Sequence, residues 1–177
     1  LAGLGVTVPI YPVPVELPEV MPFADDHRPA PYDPEAMHRF WVSLVSASRV
    51  FGDFRARFTG KASPVHFFWG AFDLAASRFS GRPAPRHPGN VPHCPDRVMH
   101  EAYSDEVSSA GYWPGGSAEG SFYSYTYPEP AGYRDGDLGV PGVYYDDALG
   151  EWLLPYDRVR TAPDPDALLL AFLEAAY

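Results

Sequence analysis

The chain has 177 residues, of which 46% are hydrophobic and 15% aromatic, so it is long and apolar enough to form one domain with a sizeable core. Its formal net charge of −10 excludes nucleic acid as an expected partner, because the phosphate backbone would be repelled. The single cysteine excludes an internal disulfide and predicts a cytoplasmic location, and no apolar run approaches the length of a membrane span.

The first stretch, LAGLGVTVPIYPVPVEL, resembles the end of a structural element. Residues 1–4 resemble a last helical turn that Gly5 would close, and three prolines restrict residues 6–14 to an edge strand or an extended arm. We therefore expect residues 1–177 to form a single domain that lacks N-terminal sequence. An ordinary frayed N-terminus is the alternative.

Two helices are predicted. In residues 33–58, Asp33 is a suitable N-cap, Pro34 suits the first helical position, and apolar side chains recur at helical spacing until Gly60. The second helix begins at residues 164–165, and its apolar stripe predicts packing against the core. The members of that stripe are Leu168, Leu169, Phe172, Leu173 and Ala176.

Three segments between the helices have strand character: residues 106–114, residues 122–130, and residues 151–160, where Pro155 interrupts the strand. An antiparallel or mixed sheet covered by the long helix and the C-terminal helix gives an α+β fold. The 21 prolines and 16 glycines predict long connecting loops.

The stretch VHFFWGAFDLAASRFSGR, residues 65–82, fits both the helical and the strand period. Its aromatic enrichment and the central Gly70 favour a strand, and the apolar character of both sides predicts a central strand covered on both faces. Such a strand must provide the Asp73 carboxylate with a partner, either Arg78 or Arg82 or the hydroxyls of a neighbouring strand.

Two interpretations of these polar residues stay open. In the first, a buried pair of Asp73 and Arg78 fixes the strand register. In the second, His66 and Arg78 line a cleft, where the planar guanidinium would bind a carboxylate or phosphate.

The segment HEAYSDEVSS places Glu101, Asp105 and Glu106 close together. Crowded carboxylates raise one another's pKa and can supply an acid and a base. The alternative is a solvated acidic turn.

Histidines at 87, 93 and 100 surround the single cysteine in a proline-rich segment. Imidazole and thiolate bind transition metals, but the paired spacing of a zinc site is absent. The spacing favours a loop with scattered imidazoles over a metal held by His87, His93 and His100, and no cofactor is predicted.

Aromatic residues precede glycine or proline in GYWPGG and YTYPEP. Trp113 and Tyr125 in these segments are suited to stacking on a flat ligand, and they are equally suited to filling a small core.

The strings SPVHFFWGAFDLAASRFSGR, EAYSDEVSSAGYWPG, FYSYTYPEP and LGEWLLPYDRVR together resemble an uncharacterised bacterial family, domain of unknown function 5996. The resemblance extends from Pro12 to Tyr177 and implies that members are longer at the N-terminus, while it implies no activity. The family has His where this chain has Asp105, so a base at that position is not expected here. The motif positions carried over are His66, Trp69, Asp73, Arg78, Glu101, Ser104, Glu106, Ser108, Ser109 and Trp113.

From these residues we predict an enzyme that acts on a small anionic or aromatic molecule in an aromatic-lined cleft beside residues 65–79. A non-catalytic small-molecule-binding module and a structural or oligomerisation domain without a site are the alternatives. The sequence sets no oligomeric state. The predicted catalytic residues are His66, Glu101 and Glu106, and the predicted ligand-binding residues are Arg78, Trp69, Asp73, Ser109, Trp113 and Tyr125.

Overall fold

A computed structural model describes residues 2–15, 17, 19–68, 70–115 and 118–177 of the chain. Its centre is a six-stranded sheet in which every neighbouring pair of strands is antiparallel. The strands, in sheet order, are β1 (His66–Phe68), β2 (Asp73–Pro83), β3 (Asp105–Trp113), β4 (Ser121–Tyr127), β6 (Glu151–Pro155) and β5 (Tyr144–Asp146). The helices are α1 (Pro34–Ala56), α2 (Asp96–Ala102), α3 (Tyr156–Arg160) and α4 (Pro165–Ala175), and Ala2–Leu4 form one 3-10 turn. The predicted α+β fold is confirmed.

The long helix α1 begins where the capping residues predict. The Asp33 carboxylate accepts hydrogen bonds from the backbone N–H groups of Glu35 and Ala36, and Pro34 occupies the first turn. Only the second half of α1 is buried, through Ala47, Val50, Phe51 and Phe54. The first half leaves large apolar side chains in solvent, with Trp41 62% exposed.

The two faces of the sheet differ in chemistry. On one face, a row of apolar residues crosses four strands, and α1 and α4 cover it, with the Phe51 and Phe122 rings 6.3 Å apart. The row consists of Leu74, Tyr112, Phe122 and Leu154. Because side chains alternate along a strand, the residues between these point to the opposite face. We call that face the tyrosine face, and it includes Ala75, Ser77, Ser109, Gly111, Tyr123, Tyr125 and Leu153.

The prediction of one covered strand in residues 65–82 is wrong, because the segment forms a hairpin. His66 pairs with Ala75 and Phe68 with Asp73, so β1 folds back on β2 and becomes an exposed edge of the sheet. The turn lies before Asp73, where Phe72 adopts a left-handed backbone with φ of 63°. The aromatic richness that suggested a central strand therefore comes from two short antiparallel segments, one of which faces solvent.

The strand predicted over residues 151–160 is half correct. Strand β6 ends at Pro155, and the next five residues form helix α3. Proline lacks the N–H that would continue the β-ladder, and its fixed φ suits the residue before a helix.

Arg78 is 4% exposed and lies on the face that α1 covers. Its guanidinium carbon is 3.4 Å from the centre of the Phe54 ring and 4.5 Å from that of Tyr177, and one nitrogen lies 3.7 Å from a Glu174 carboxylate oxygen. The same group donates a hydrogen bond to the Phe54 carbonyl. Since Asp73 and Arg78 are an odd number of residues apart on β2, they point to opposite faces, and the predicted buried pair between them is wrong.

We expect Arg78→Ala to lower the free energy of unfolding by about 3 kcal/mol, because it empties a cage of aromatic rings and frees a buried carbonyl. Arg78→Lys keeps the charge but loses the planar stack, so its loss should be intermediate. Urea unfolding of the three proteins measures both values. A change within about 0.5 kcal/mol for Arg78→Ala would show that the side chain has no packing role.

Candidate functional site

An unusual hydrogen bond organises the tyrosine face. The Tyr123 hydroxyl on β4 donates to Oδ2 of Asp73 on β2 at 2.6 Å, although β3 lies between the two strands. The Tyr123 ring reaches Asp73 by crossing Gly111 of β3, where a Cβ atom would lie 2.3 Å from the ring. Gly111 is therefore the residue that allows this phenol to reach this carboxylate.

Glu151 is the second carboxylate of this face. It precedes Trp152, which pairs with Ser124, so Glu151 points to the same face as Tyr125. Burial, together with the negative charges of Asp73 and Asp146, raises the pKa of Glu151 to about 7. No cationic side chain within the described residues forms an ion pair with Glu151 or Asp73. At neutral pH the Glu151 carboxyl is therefore divided between its acid and its charged form.

Tyrosine hydroxyls and serines complete the site. The Tyr123 and Tyr125 rings stack with centres 6.2 Å apart, and burial raises the pKa of both phenols well above the usual range. The Tyr125 hydroxyl lies 2.9 Å from that of Tyr103, and Ser109 Oγ lies 3.0 Å from Ser77 Oγ. Both phenols keep their protons at physiological pH, and that of Tyr123 is donated to Asp73.

Five of the predicted site residues share the tyrosine face. They are His66, Asp73, Ser109, Trp113 and Tyr125. His66 lies at the exposed edge, with its ring 4.4 Å from that of Phe68. The hydroxyl partner predicted for Asp73 is the Tyr123 phenol. Trp69 lies outside the described residues.

Three predicted residues lie elsewhere. Arg78 is on the opposite face, so the structure does not bring it to His66. Glu106 accepts hydrogen bonds from Ser80 and Arg82, and this exposed ion pair lowers the pKa of its carboxyl. Glu101 is exposed on α2. The roles predicted for these residues stay predictions, but the structure does not place the three at one site.

Glu151 was not predicted as a site residue from the sequence. The alternation of Glu151 and Leu153 with Trp152 and Leu154 was visible, but it assigns no partner strand. Only the pairing of β6 with β4 brings Glu151 beside the tyrosines. The role of Tyr123 was missed for the same reason, since its partner Asp73 lies 50 residues earlier.

Two of the three histidines considered for a metal contact protein groups through their rings. The His87 ring stacks on Tyr103 at 4.7 Å, and its Nδ1 accepts a hydrogen bond from the Gly89 backbone. The His100 ring lies against the Arg86 guanidinium. Within the described ranges, no group of three or more His, Cys, Asp or Glu side chains is arranged to hold a metal ion.

A separate groove of about 410 Å³ lies between α1 and the β1–β2 hairpin. It is aromatic-lined and lies beside residues 65–79, on the side that carries α1. Its lining contains no ionisable side chain and one hydroxyl, that of Ser48. This groove therefore suits an apolar molecule, whereas proton-transfer groups are on the tyrosine face. Its aromatic walls come from Phe40, Trp41, Phe67 and Phe72.

The fold and the site define an α+β protein with a helix-covered antiparallel sheet whose other face carries paired carboxylates among tyrosines. The model of a family of unknown function (DUF5996) matches residues 1–177, and the chain belongs to that family. Comparison with curated proteins and with solved structures gave no match. None of the described helices has the length and apolar character needed to cross a bilayer.

We expect protein stability to fall as the pH rises from 4.5 to 8, through the ionisation of Glu151. In the folded state the pKa of Glu151 is raised to about 7, whereas the unfolded chain releases this proton near the ordinary value for glutamate. The free energy of unfolding therefore falls by about 3 kcal/mol over that range. Urea unfolding across this pH range measures the decline. Glu151→Gln should remove this part of the pH dependence. If the free energies of unfolding of the two proteins changed in parallel from pH 4.5 to 8, the assignment would be contradicted.

Proposed function

We propose that this protein is an enzyme that performs acid–base chemistry on a small neutral or cationic molecule at the tyrosine face. The observation that carries the proposal is the grouping of Asp73, Tyr123 and Glu151, two carboxyl groups with different hydrogen-bonding environments. Enzymes that need an acid and a base at neutral pH separate two carboxyl groups in this manner.

The three residues have distinct roles in the proposal. Glu151, which carries a proton for part of the time at pH 7, donates it to the leaving or reacting atom of the substrate. Asp73 accepts a proton from a water molecule as the water oxygen bonds to the substrate and the bond to the leaving group breaks, and the Tyr123 phenol holds the Asp73 carboxylate in place. Tyr125 and Trp113 provide flat surfaces for the body of the substrate.

The charges on the tyrosine face limit the class of substrate that we propose. The anionic substrate predicted from the sequence depended on Arg78, which lies beneath α1 and α4 on the other face. The tyrosine face instead holds the carboxylates of Asp73 and Glu151, which repel anions. An aromatic or otherwise flat substrate without negative charge fits this surface. The single cysteine and the resemblance noted above favour a bacterial, cytoplasmic enzyme.

The test is hydrolysis of 4-nitrophenyl glycosides and esters that are neutral, cationic or anionic in the part transferred. We expect turnover of neutral or cationic compounds, with kcat/KM falling above pH 7 as Glu151 loses its proton. Glu151→Gln should lower kcat/KM by about 100-fold or more and abolish this pH limb.

Glu129→Gln is the matched control. Glu129 is a glutamate whose partners are Arg134 and Tyr145, away from the tyrosine face. Its loss should leave kcat/KM unchanged. Turnover restricted to anionic compounds, or equal activity of Glu151→Gln and the parent protein, would overturn the proposal.

A second candidate function is non-catalytic binding of an apolar molecule, favoured by the groove of about 410 Å³ beside the β1–β2 hairpin. Small-molecule sites have volumes of about 300–1,000 Å³ and mostly apolar walls. The exposed Trp41 and Phe72 side chains leave such a surface uncovered within the described residues.

Binding of N-phenyl-1-naphthylamine, a neutral aromatic probe, tests this candidate by fluorescence. Val45 lines the groove and is exposed, so Val45→Glu places a charge there without disturbing the core and should weaken binding at least tenfold. Leu149→Glu makes the same change at an exposed residue outside the groove lining and should have no effect. Equal binding by both variants would show that the groove does not hold the probe.

A further inference from the structure

A second cleft, of about 600 Å³, lies on the other side of the exposed half of α1. Its walls come from α1, from the loop that follows β3, and from α3. Unlike the apolar groove, it contains cationic, anionic and hydroxyl groups. Its volume is in the range of small-molecule sites, and it does not overlap the tyrosine face.

The Tyr112 side chain in this cleft has an unused hydroxyl. Tyr112 is 4% exposed and lines the cleft, and its hydroxyl has no hydrogen-bond partner among the described residues. Burial raises the pKa of this phenol to about 12, so the hydroxyl remains a donor. Since this oxygen is not sealed from solvent, the hydroxyl is available to donate to a ligand acceptor in the cleft.

Tyr156 is the second tyrosine that lines this cleft. The rings of Tyr112 and Tyr156 have centres 5.3 Å apart, and the Tyr156 hydroxyl lies 2.8 Å from Ser43 Oγ. The hydrogen bond to α1 fixes the position of Tyr156. The Tyr112 ring itself is packed in the core, so the half-buried Tyr156 ring is the flat surface available to the body of a ligand.

Charged side chains of both signs line the cleft around the Tyr156 ring. Helix α1 contributes His38 and Arg39, and the loop after β3 contributes Glu119. Arg39 has only a long contact of 4.0 Å with Glu35, and both side chains are largely exposed, so its guanidinium is free to bind a ligand. Arg160, in contrast, is held by Asp157 within the same short helix.

We propose that this cleft binds a small zwitterion of the α-amino acid class with an aromatic side chain. The ligand carboxylate accepts a hydrogen bond from the Tyr112 hydroxyl and faces Arg39, the ammonium group faces Glu119, and the side chain lies on the Tyr156 ring. A single anion or a single cation would leave one of the two walls without its complement. This inference is independent of the chemistry proposed for the tyrosine face.

Calorimetric titration with three probes of the same shape tests the proposal. L-Phenylalanine carries both charges, 3-phenylpropionate only the carboxylate, and phenethylamine only the ammonium group. We expect L-phenylalanine to bind at least tenfold more tightly than either analogue. Equal affinity for all three, or no heat from L-phenylalanine at millimolar concentration, would overturn the proposal.

Single substitutions assign the contacts. Tyr112→Phe keeps the ring and removes only the hydroxyl, so it should weaken L-phenylalanine binding about tenfold. Arg39→Gln should weaken binding of L-phenylalanine and 3-phenylpropionate while sparing phenethylamine. Glu119→Gln should weaken binding of L-phenylalanine and phenethylamine while sparing 3-phenylpropionate.

Tyr133→Phe is the matched control, because it also removes the hydroxyl of a largely buried tyrosine whose pKa burial raises to about 12. Tyr133 hydrogen-bonds to the Ala176 carbonyl and does not line the cleft, so its substitution should leave L-phenylalanine binding unchanged. Circular dichroism confirms that each variant is folded. Unchanged binding in Tyr112→Phe, or equal losses in Tyr112→Phe and Tyr133→Phe, would refute the assignment.

Discussion

A carboxylate withdrawn from water needs a proton, a cation or a hydrogen-bond donor, and the tyrosine face is built around this requirement. Asp73 obtains a donor from Tyr123, two strands away, and that contact requires the absence of a side chain at Gly111. Glu151 has no comparable partner within the described residues, and its elevated pKa means that it obtains a proton instead. The same desolvation that makes this face costly to fold makes it suited to proton transfer.

The sheet separates opposite charges. Arg78 is buried on one face among Phe54 and Tyr177, while Asp73 of the same strand is on the other face. The guanidinium contacts aromatic rings, a backbone carbonyl and Glu174, although its buried Nε has no hydrogen-bond partner within the described residues, and these contacts link α1 to α4. The charge left to the tyrosine face is negative, which is the reason for proposing a neutral or cationic substrate there.

Helix α1 has a structural half and an accessible half. Its second half supplies Phe51 and Phe54 to the core, whereas its first half contacts the sheet through Phe40, 6.4 Å from the Tyr112 ring, and forms a wall of two clefts. One side of this half presents Trp41 to the apolar groove, and the other presents Arg39 to the charged cleft. A single amphipathic helix thus borders two surfaces of different chemistry, because its period of 3.6 residues directs successive side chains around the axis.

The sequence by itself determined the elements whose causes are local. The Asp33 cap and the helical period located α1, alternation located β3 and β4, and the long motifs indicated the family. Strand alternation also showed that Asp73 needs a polar partner. Only the tertiary structure decided that residues 65–82 form a hairpin, that Arg78 and Asp73 are on opposite faces, and that Tyr123 and Glu151 are neighbours of Asp73. Alternation gives the side of a strand to which a residue points, but strand pairing depends on contacts between distant segments, and those contacts are what bring a site together.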